Sequence, residues 1–132
     1  MQNPLLSLSP DECEQVALDL IAAKDAFAER GWARGDYEDG KGHVCSVGAA
    51  RVAVLGTPHV DELALFQGAA SMARLNNVCN VMQYYASLDW PEHMSCASGG
   101  PLGLSVFNDC AKDQEQVVSW IDKALADVGR HG

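Results

Sequence analysis

The first long stretch of alternating hydrophobic and polar residues has the period of an amphipathic helix. Ser9 is a suitable N-cap, Pro10 fits the first helical position, and Glu12 completes a capping box. An apolar stripe follows at helical spacing and consists of Val16, Ala17, Leu20, Ala23 and Phe27. Three charged residues fall outside it and are expected to face water: Asp19, Lys24 and Asp25. The pattern predicts a helix that begins at Pro10 and ends at Gly31, since glycine tolerates the left-handed backbone.

A second helix is predicted over residues 45–55, with Gly56 as its end. One face of this helix carries mostly small residues, namely Cys45, Gly48, Ala49, Val52 and Leu55. Small side chains allow the backbone of a neighbouring helix to approach closely. We therefore expect this segment to be packed on that face by other parts of the chain.

Two further helices follow the same period. One starts from an N-cap at Thr57 and runs to about residue 88, with a break near Gly68 or Asn76-Asn77. The last runs over about residues 113–128, where an aspartate N-cap and Gln116 form a second capping box.

The connections between these helices contain residues that favour turns. Asp39-Gly40 is typical of a tight turn and predicts, at most, a short β-hairpin near residues 37–44. Residues 89–104 are interpreted as an irregular loop because they contain Pro91, Gly99, Gly100, Pro101 and Gly103. The predicted fold is mostly α, a single domain of four or five helices over residues 1–132, with tails at 1–8 and 129–132.

Length and composition fit one soluble globular domain. A chain of 132 residues suffices for one core, and 48% hydrophobic with 20% charged residues argues against disorder. We see neither a secretion signal nor an apolar run of about eighteen residues, so we expect a cytoplasmic protein that does not interact with membranes. Five cysteines, an odd number without a C-x-x-C pair, are expected to be reduced.

The net charge of −9 excludes one class of partner. Eighteen acidic residues oppose nine basic ones, and such a field repels phosphate backbones, so direct nucleic-acid binding is disfavoured. Five of the nine bases lie between residues 24 and 51, which leaves a small anion open as a ligand. From residue 75 to residue 111 there is no lysine or arginine, and a charge-poor segment of this length is either buried or an interface.

Cys45 is the first candidate for chemistry, because a thiol at a helix N-terminus gains from the helix dipole. His43 would accept its proton, and Asn108 or Asp109 would orient that histidine, which gives a nucleophile set. The alternative requires only a small residue where two helices meet. Asn108 and Asp109 likewise cap turns readily, and we expect capping rather than catalysis from them.

Metal and phosphate motifs are incomplete. Zinc-type ligands occur at spacings that match no zinc finger, at His43, Cys45, His93, Cys96 and Cys110. The acidic loop at residues 36–40 resembles a calcium loop, but Val47 stands where the closing acid belongs. Gly40-Lys41-Gly42 lacks the spacing of a phosphate loop. We therefore predict no metal and no cofactor.

Two separated blocks of the sequence resemble a known family. The first contains W-x-x-G at residues 32–35 and C-x-x-G-A at 45–49, and the second contains Phe107-Asn108-Asp109 and a closing helix with Asp122-Lys123-Ala124. Together they resemble a domain-of-unknown-function family of small actinobacterial and actinophage proteins, in which tryptophan usually precedes the Asn-Asp pair. The resemblance does not extend over residues 57–104 and implies an actinobacterial or phage context, but no activity. It also implies that seven residues meet in space: Trp32, Gly35, Cys45, Gly48, Ala49, Asn108 and Asp109.

The sequence is compatible with three hypotheses, of which the first two concern function and the third concerns folding. The leading one is a small non-enzymatic accessory protein, encoded by a phage or its host, that binds a host protein or self-associates through residues 75–111. The alternative is a small-molecule-binding protein or a cysteine-dependent enzyme that uses the corner of Trp32, Arg34, Cys45, Asn108 and Asp109. The third is folding stabilised by zinc.

Overall fold

Five α-helices make up most of the part of the chain that the structure describes. This computed structural model describes residues 2–35, 38–58, 62–92 and 100–131, with side chains except at 62–67 and 131. A short 3-10 helix, Pro4–Ser7, precedes the helices α1 (Pro10–Arg30), α2 (Ser46–Leu55), α3 (Glu62–Ser87), α4 (Gly100–Cys110) and α5 (Gln114–His131). No sheet forms in the described ranges, so the prediction of a single, mostly α domain is confirmed.

The predicted ends of α1 are confirmed. The Glu12 backbone N–H donates to Ser9 Oγ at 3.1 Å and the Ser9 N–H donates to Glu12 Oε1 at 2.9 Å, which together form the capping box. Gly31 terminates the helix at a φ of 83°, and a Cβ there would lie 2.8 Å from Cδ2 of His43. The prediction that Asp19 faces water is wrong. Its side chain is buried and paired with Arg74 of α3.

Helix α2 is the most enclosed helix of the fold, as its small residues predict. Cys45 is its N-cap, and the Gly48 N–H donates to Sγ of Cys45 at 3.4 Å. Gly56 ends the helix in the left-handed conformation at a φ of 82°. The helix packs against α1, α3 and α4, and even Ser46 at its first position is buried.

Helix α3 is broken at Gly68, one of the two sites at which a break was predicted. Gly68 has a φ of 79°, so the chain kinks there. The predicted start is wrong, because Thr57 and Pro58 lie in bends, and Glu62 is the first helical residue after them among the described residues. Its end at Ser87 agrees with the predicted end near residue 88.

Helix α4 contradicts the prediction of an irregular loop over residues 89–104. Pro91 and Glu92 form a short 3-10 turn, residues 93–99 lie outside the described residues, and α4 begins at Gly100. Pro101 occupies the first turn of α4, where its missing N–H costs nothing. The N–H of Gly100 donates to Oδ1 of Asn80 on α3, which helps to fix the start of α4.

Helix α5 has the predicted N-cap at Asp113, but the second bond of the predicted capping box differs, because its donor is Lys112 and not Asp113. The Gln116 N–H donates to Oδ1 of Asp113 at 2.9 Å, while the Gln116 side chain accepts from the Lys112 N–H at 2.9 Å. The helix continues to His131, so residues 129–131, expected to be a tail, are helical. At the other end of the chain, part of the expected tail forms the 3-10 helix, whose Leu5 is buried in the core.

The predicted hairpin is reduced to isolated contacts. Val44 bridges to Glu38 in antiparallel fashion and to Trp32 in parallel fashion, and no strand is formed in the described residues. Tyr37, expected in the hairpin, lies outside them. Val44, directly before α2, therefore holds Trp32 and Glu38 of the preceding loop in place.

The core lies between the long helices and continues toward α4. Its largest fully buried side chain is Trp120 of α5. Trp90 stacks on Phe107 of α4 at a centroid distance of 5.9 Å and meets Trp120 edge-on at 6.1 Å. These three rings join the end of α3 to both α4 and α5.

Candidate functional site

The side chain of Asn108, on the last turns of α4, is fully buried and forms four hydrogen bonds. Its Oδ1 accepts from Trp32 Nε1 at 2.8 Å, from the Ser46 N–H at 2.9 Å and from Ser46 Oγ at 2.6 Å. Its Nδ2 donates to the carbonyl oxygen of Ala33 at 3.0 Å. Asn108 therefore joins three parts of the chain: α4, the loop after α1, and the start of α2.

The contact with Ser46 explains why an amide oxygen lies at this position. Ser46 is the first residue of α2, and its N–H is one of the donors that the helix itself leaves without a partner. The partial positive charge of the helix N-terminus favours an oxygen there. Cys45 and Asn108 thus cap the same helix end, one by sulfur and the other by oxygen.

Arg34 performs a corresponding role at the C-terminal end of α4. Its guanidinium donates from Nε to the Ala111 carbonyl at 3.0 Å and from Nη2 to the Lys112 carbonyl at 3.1 Å. A cation beside the last carbonyls of a helix is favoured by the dipole. The same guanidinium lies 4.8 Å from the ring centroid of Trp32, within the range of a cation–π contact.

Asp109 follows Asn108 but points toward a different part of the loop. Its Oδ1 accepts from the Gly35 N–H at 2.9 Å, and the residue is exposed. Together with the bonds of Asn108 and Arg34, this contact closes what we call the polar corner, made of residues 32–35, Ser46 and residues 108–112. The side chains of Asn108, Arg34 and Asp109 thus find their hydrogen-bond partners within the protein itself.

Cys45 lies beside the polar corner but has little access to solvent, with only 4% of its surface exposed. Burial raises the pKa of its thiol, and the N–H groups of Gly48 and Val47 offset this only in part. The negative charge of Asp109 raises the pKa further. A thiol in this environment stays protonated at neutral pH, so the geometry does not supply an activated nucleophile.

His43 is oriented by a neighbour other than the thiol. Its Nδ1 lies 2.7 Å from Oδ2 of Asp39, and its N–H donates to Oδ1 of Asp39 at 3.1 Å. Burial raises the pKa of Asp39, but the hydrogen bonds from the Lys41 and His43 N–H groups and from the His43 ring outweigh it and lower that pKa overall. His43 therefore stabilises the turn at residues 39–43 and packs against Gly31.

The structure brings together most residues that the sequence singled out. Trp32, Arg34, Asn108 and Asp109 meet in the polar corner, and Cys45 adjoins it. Ser46 was missed, although it contributes two of the bonds to Asn108. The only sign of this role in the sequence is that Ser46 directly follows the N-cap. The backbone N–H at that position has no partner within the helix and needs an acceptor.

The ion pair between Asp19 and Arg74 was also missed. Arg74 Nη2 donates to Oδ1 of Asp19 at 2.7 Å, and Gln15 Nε2 donates to the same oxygen at 3.1 Å. Asp19 lies three residues after Val16 and four before Ala23, which places it at the border of the apolar stripe of α1. This spacing could have predicted that the side chain of Asp19 is buried.

Metal ligands are not clustered in the described part of the chain. No group of three or more His, Cys, Asp or Glu residues that could hold a metal ion occurs there. His93 and Cys96, considered as zinc ligands from the sequence, lie outside the described residues. Among the described helices, none is both long and apolar enough to cross a bilayer.

Two helices present large apolar side chains to solvent in pairs. On α4, Leu102 is 72% exposed and Val106 is 57% exposed. On α1, Leu18 is 56% exposed and Ile21 is 47% exposed. Single exposed hydrophobic residues are normal on protein surfaces, and each of these pairs forms a small apolar patch on its helix.

Comparison with known proteins gives one match. The sequence model of a family of unknown function, DUF6197, matches residues 12–127, a range that includes the whole polar corner. No curated protein and no solved structure shows significant similarity to the chain. The match covers most of the chain, and we conclude that the protein belongs to the DUF6197 family.

Proposed function

We propose that the protein is a small non-enzymatic accessory protein that acts through protein–protein contacts, and that the outer face of α4 binds a second copy of the chain. The observation that carries this proposal is the exposed apolar stripe on α4. Leu102, Val106 and Cys110 are all exposed and follow one another at four-residue spacing, so they form one row on the helix. We call this row the α4 face.

The charge of the chain supports a second copy as the occupant. Each molecule carries a net charge of −9, so two copies repel each other over most of their surfaces. The segment from residue 75 to 111 contains no lysine or arginine, and Asp109 is the one charged residue of α4. Association is least opposed where both surfaces carry few charges and bury apolar side chains.

The row of three residues suits a two-fold contact. When two α4 helices cross in antiparallel fashion at their centres, Val106 meets Val106 of the other copy and Leu102 faces Cys110. A surface of one short helix is small compared with stable interfaces, so we expect a weak dimer that forms as concentration rises. The resemblance to small actinobacterial and actinophage proteins supports the cytoplasm of an actinobacterial cell as the setting.

Analytical ultracentrifugation over a range of concentrations tests the proposal. We expect the wild-type protein to shift from monomer to dimer, and the double variant Leu102→Ser/Val106→Ser to remain monomeric. The matched control is Leu18→Ser/Ile21→Ser, which removes a similar pair of exposed residues from α1 and should dimerise like the wild type. A wild-type protein that is monomeric at every concentration, or loss of the dimer in the control alone, contradicts the proposal.

Cross-linking tests the geometry of the dimer directly. In a background with Cys96 and Cys110 replaced by serine, Val106→Cys should form an intermolecular disulfide under oxidising conditions. Ile21→Cys in the same background should not. The opposite result would place the contact elsewhere.

We do not propose the cysteine enzyme or the small-molecule site at the polar corner. The thiol of Cys45 is buried and its pKa is raised, and the polar groups of Asn108 and Arg34 bind other parts of the protein. The geometry of these residues supports a structural role.

A further inference from the structure

The solvent-facing side of α1 combines apolar and acidic residues in one row. Leu18 and Ile21 are three residues apart and lie at its centre, with Glu14 four residues before Leu18 and Asp25 four residues after Ile21. All four are exposed. With Asp11 one helical turn before Glu14, they form what we call the α1 face.

The acidic charges of the α1 face are not neutralised. Within the described part of the chain, no ion pair involves Asp11, Glu14 or Asp25. Two basic residues, one on α1 and one on α3, are paired with other carboxylates. Lys24 pairs with Asp122 of α5 at 2.8 Å, and Arg74 pairs with Asp19 at 2.7 Å.

A cleft lies on each side of the α1 face near its N-terminal end. The cleft toward α3 has a volume of about 330 Å³ and a largely apolar surface, and the residues that line it include Asp11, Glu12, Val16, Ala73 and Arg74. The charge of Arg74 is already paired with Asp19. The cleft toward α5 has a volume of about 340 Å³ and is lined by Pro10, Asp11, Glu14, Ala17 and Val128. Asp11 thus stands between two clefts that each offer apolar surface beside carboxylates.

We propose that the α1 face and its two clefts bind a basic amphipathic segment of another protein. Such a segment places apolar side chains on Leu18 and Ile21 and in the clefts, while its lysines or arginines meet Glu14 and Asp25. The charge of the occupant follows from complementarity: a net charge of −9 attracts a basic partner. A second copy, equally acidic, is repelled from this face, so this contact is separate from the α4 face and stands whether or not α4 dimerises.

Binding of a synthetic peptide tests this proposal. The probe is a fluorescein-labelled amphipathic helix of leucine and lysine, about four turns long. We expect saturable binding by fluorescence anisotropy, weakened at least about tenfold in Leu18→Ser/Ile21→Ser because exposed apolar anchors carry much of such a contact. Glu14→Lys/Asp25→Lys should also bind at least about tenfold more weakly and lose most of its salt dependence.

Matched controls separate this site from non-specific attraction. Leu102→Ser/Val106→Ser should bind the peptide like the wild type, and helical circular dichroism should confirm that all variants are folded. A peptide with glutamate in place of lysine should not bind. Backbone amide shifts on titration should be confined to α1 and the facing parts of α3 and α5. Equal binding by the α1 variants, equal binding of the acidic peptide, or shifts centred on α4 overturns the proposal.

Discussion

Nε1 of Trp32 donates a hydrogen bond of 2.8 Å to Oδ1 of Asn108, a residue 76 positions further along the chain. The indole belongs to the loop that leaves α1, and the amide belongs to α4. Because the same oxygen also accepts from Ser46, the bond fixes the loop, α2 and α4 relative to one another. The most conspicuous polar cluster of the protein therefore holds its helices together.

Asn108→Leu should destabilise the protein strongly. The substitution keeps the branched shape of the side chain but leaves the Ala33 carbonyl and the Ser46 N–H buried without their partners. We expect the free energy of unfolding to fall by about 3 kcal/mol, since a buried polar group without a partner costs about 1–3 kcal/mol. Urea denaturation followed by circular dichroism measures the change.

Asn76→Leu is the matched control, because Asn76 is exposed on α3. We expect the control to change the unfolding free energy by no more than about 0.5 kcal/mol. Equal effects of the two substitutions would show that the buried amide contributes no more than an exposed one.

The sequence allowed the ends of α1 and α2 and the start of α5 to be predicted because local interactions determine them. Ser9 caps α1 within four residues, Gly56 ends α2 by its own backbone conformation, and Asp113 caps α5. The meeting of Trp32 with Asn108 was also predictable, but from the family resemblance and not from any local pattern. The spacing of residues predicts which face of a helix is buried, but it does not identify the distant residue that the face contacts.

Helix α4 was not predicted because its glycines serve a tertiary contact. From composition alone, Gly100, Pro101 and Gly103 are predicted to be turn residues. Gly103 is helical, however, and the side-chain amide of Gln83 from α3 lies where its Cβ would be. Glycine is favoured at this position because of a side chain on another helix. The local sequence pattern of α4 cannot predict that contact.

Gly103→Ala should therefore destabilise the protein, although alanine is the better helix former. A Cβ at this position would overlap the side-chain amide of Gln83, which is buried and would have to shift within the core. We expect a net loss of about 2 kcal/mol, as for other overpacked cores. Differential scanning calorimetry would show a lower Tm.

Gly129→Ala in α5 is the control for Gly103→Ala. A Cβ at Gly129 meets no atom within 4 Å, so this variant should gain about 0.5 kcal/mol from helix propensity alone. Combining Gly103→Ala with Gln83→Ala should restore part of the loss. If the single and double variants were equally unstable, overlap with Gln83 would not be the cause.

Arg74→Met should show how much the half-buried ion pair contributes. The substitution leaves Asp19 with Gln15 as its remaining side-chain partner in a buried position. Because Arg74 is 37% exposed, we expect a loss of about 2 kcal/mol, less than for a fully buried pair. Lys24→Met, which breaks an exposed pair of similar length with Asp122, should cost no more than about 1 kcal/mol.

Chemical denaturation of both variants measures the two costs. The double variant Asp19→Leu/Arg74→Met should recover most of the lost stability, since no charge is then left buried. A loss for Arg74→Met no larger than for Lys24→Met would show that burial of Asp19 adds nothing to the pair.

Cys45 should react with a maleimide far more slowly than Cys110. The former is buried with a raised pKa, whereas Cys110 is exposed at the end of α4. We expect a rate ratio of at least about a hundredfold, which corresponds to a local opening that costs about 2.7 kcal/mol. Peptide mapping of the labelled protein by mass spectrometry identifies each site. Faster labelling of Cys45 than of Cys110 would restore the hypothesis of a catalytic thiol.

Stability should decrease at alkaline pH because of the buried thiol of Cys79 on α3. Burial raises its pKa from 9.0 to about 12 in the folded protein. Between these two values the unfolded chain releases the proton and the folded protein keeps it, so the contribution of Cys79 is complete below pH 9 and is lost as pH rises toward 12. The expected slope for this thiol is up to about 1.4 kcal/mol per pH unit.

Urea denaturation at a series of pH values from about 8 to about 10.5 measures this slope. Cys79→Ala removes the titrating group, and its free energy of unfolding should fall less steeply over this range, whatever its stability at neutral pH. The variant keeps the raised pKa values of Cys45 and Tyr85, so a smaller decrease remains. Parallel curves for the variant and the wild type would mean that the thiol of Cys79 ionises as easily in the folded protein as in the unfolded chain.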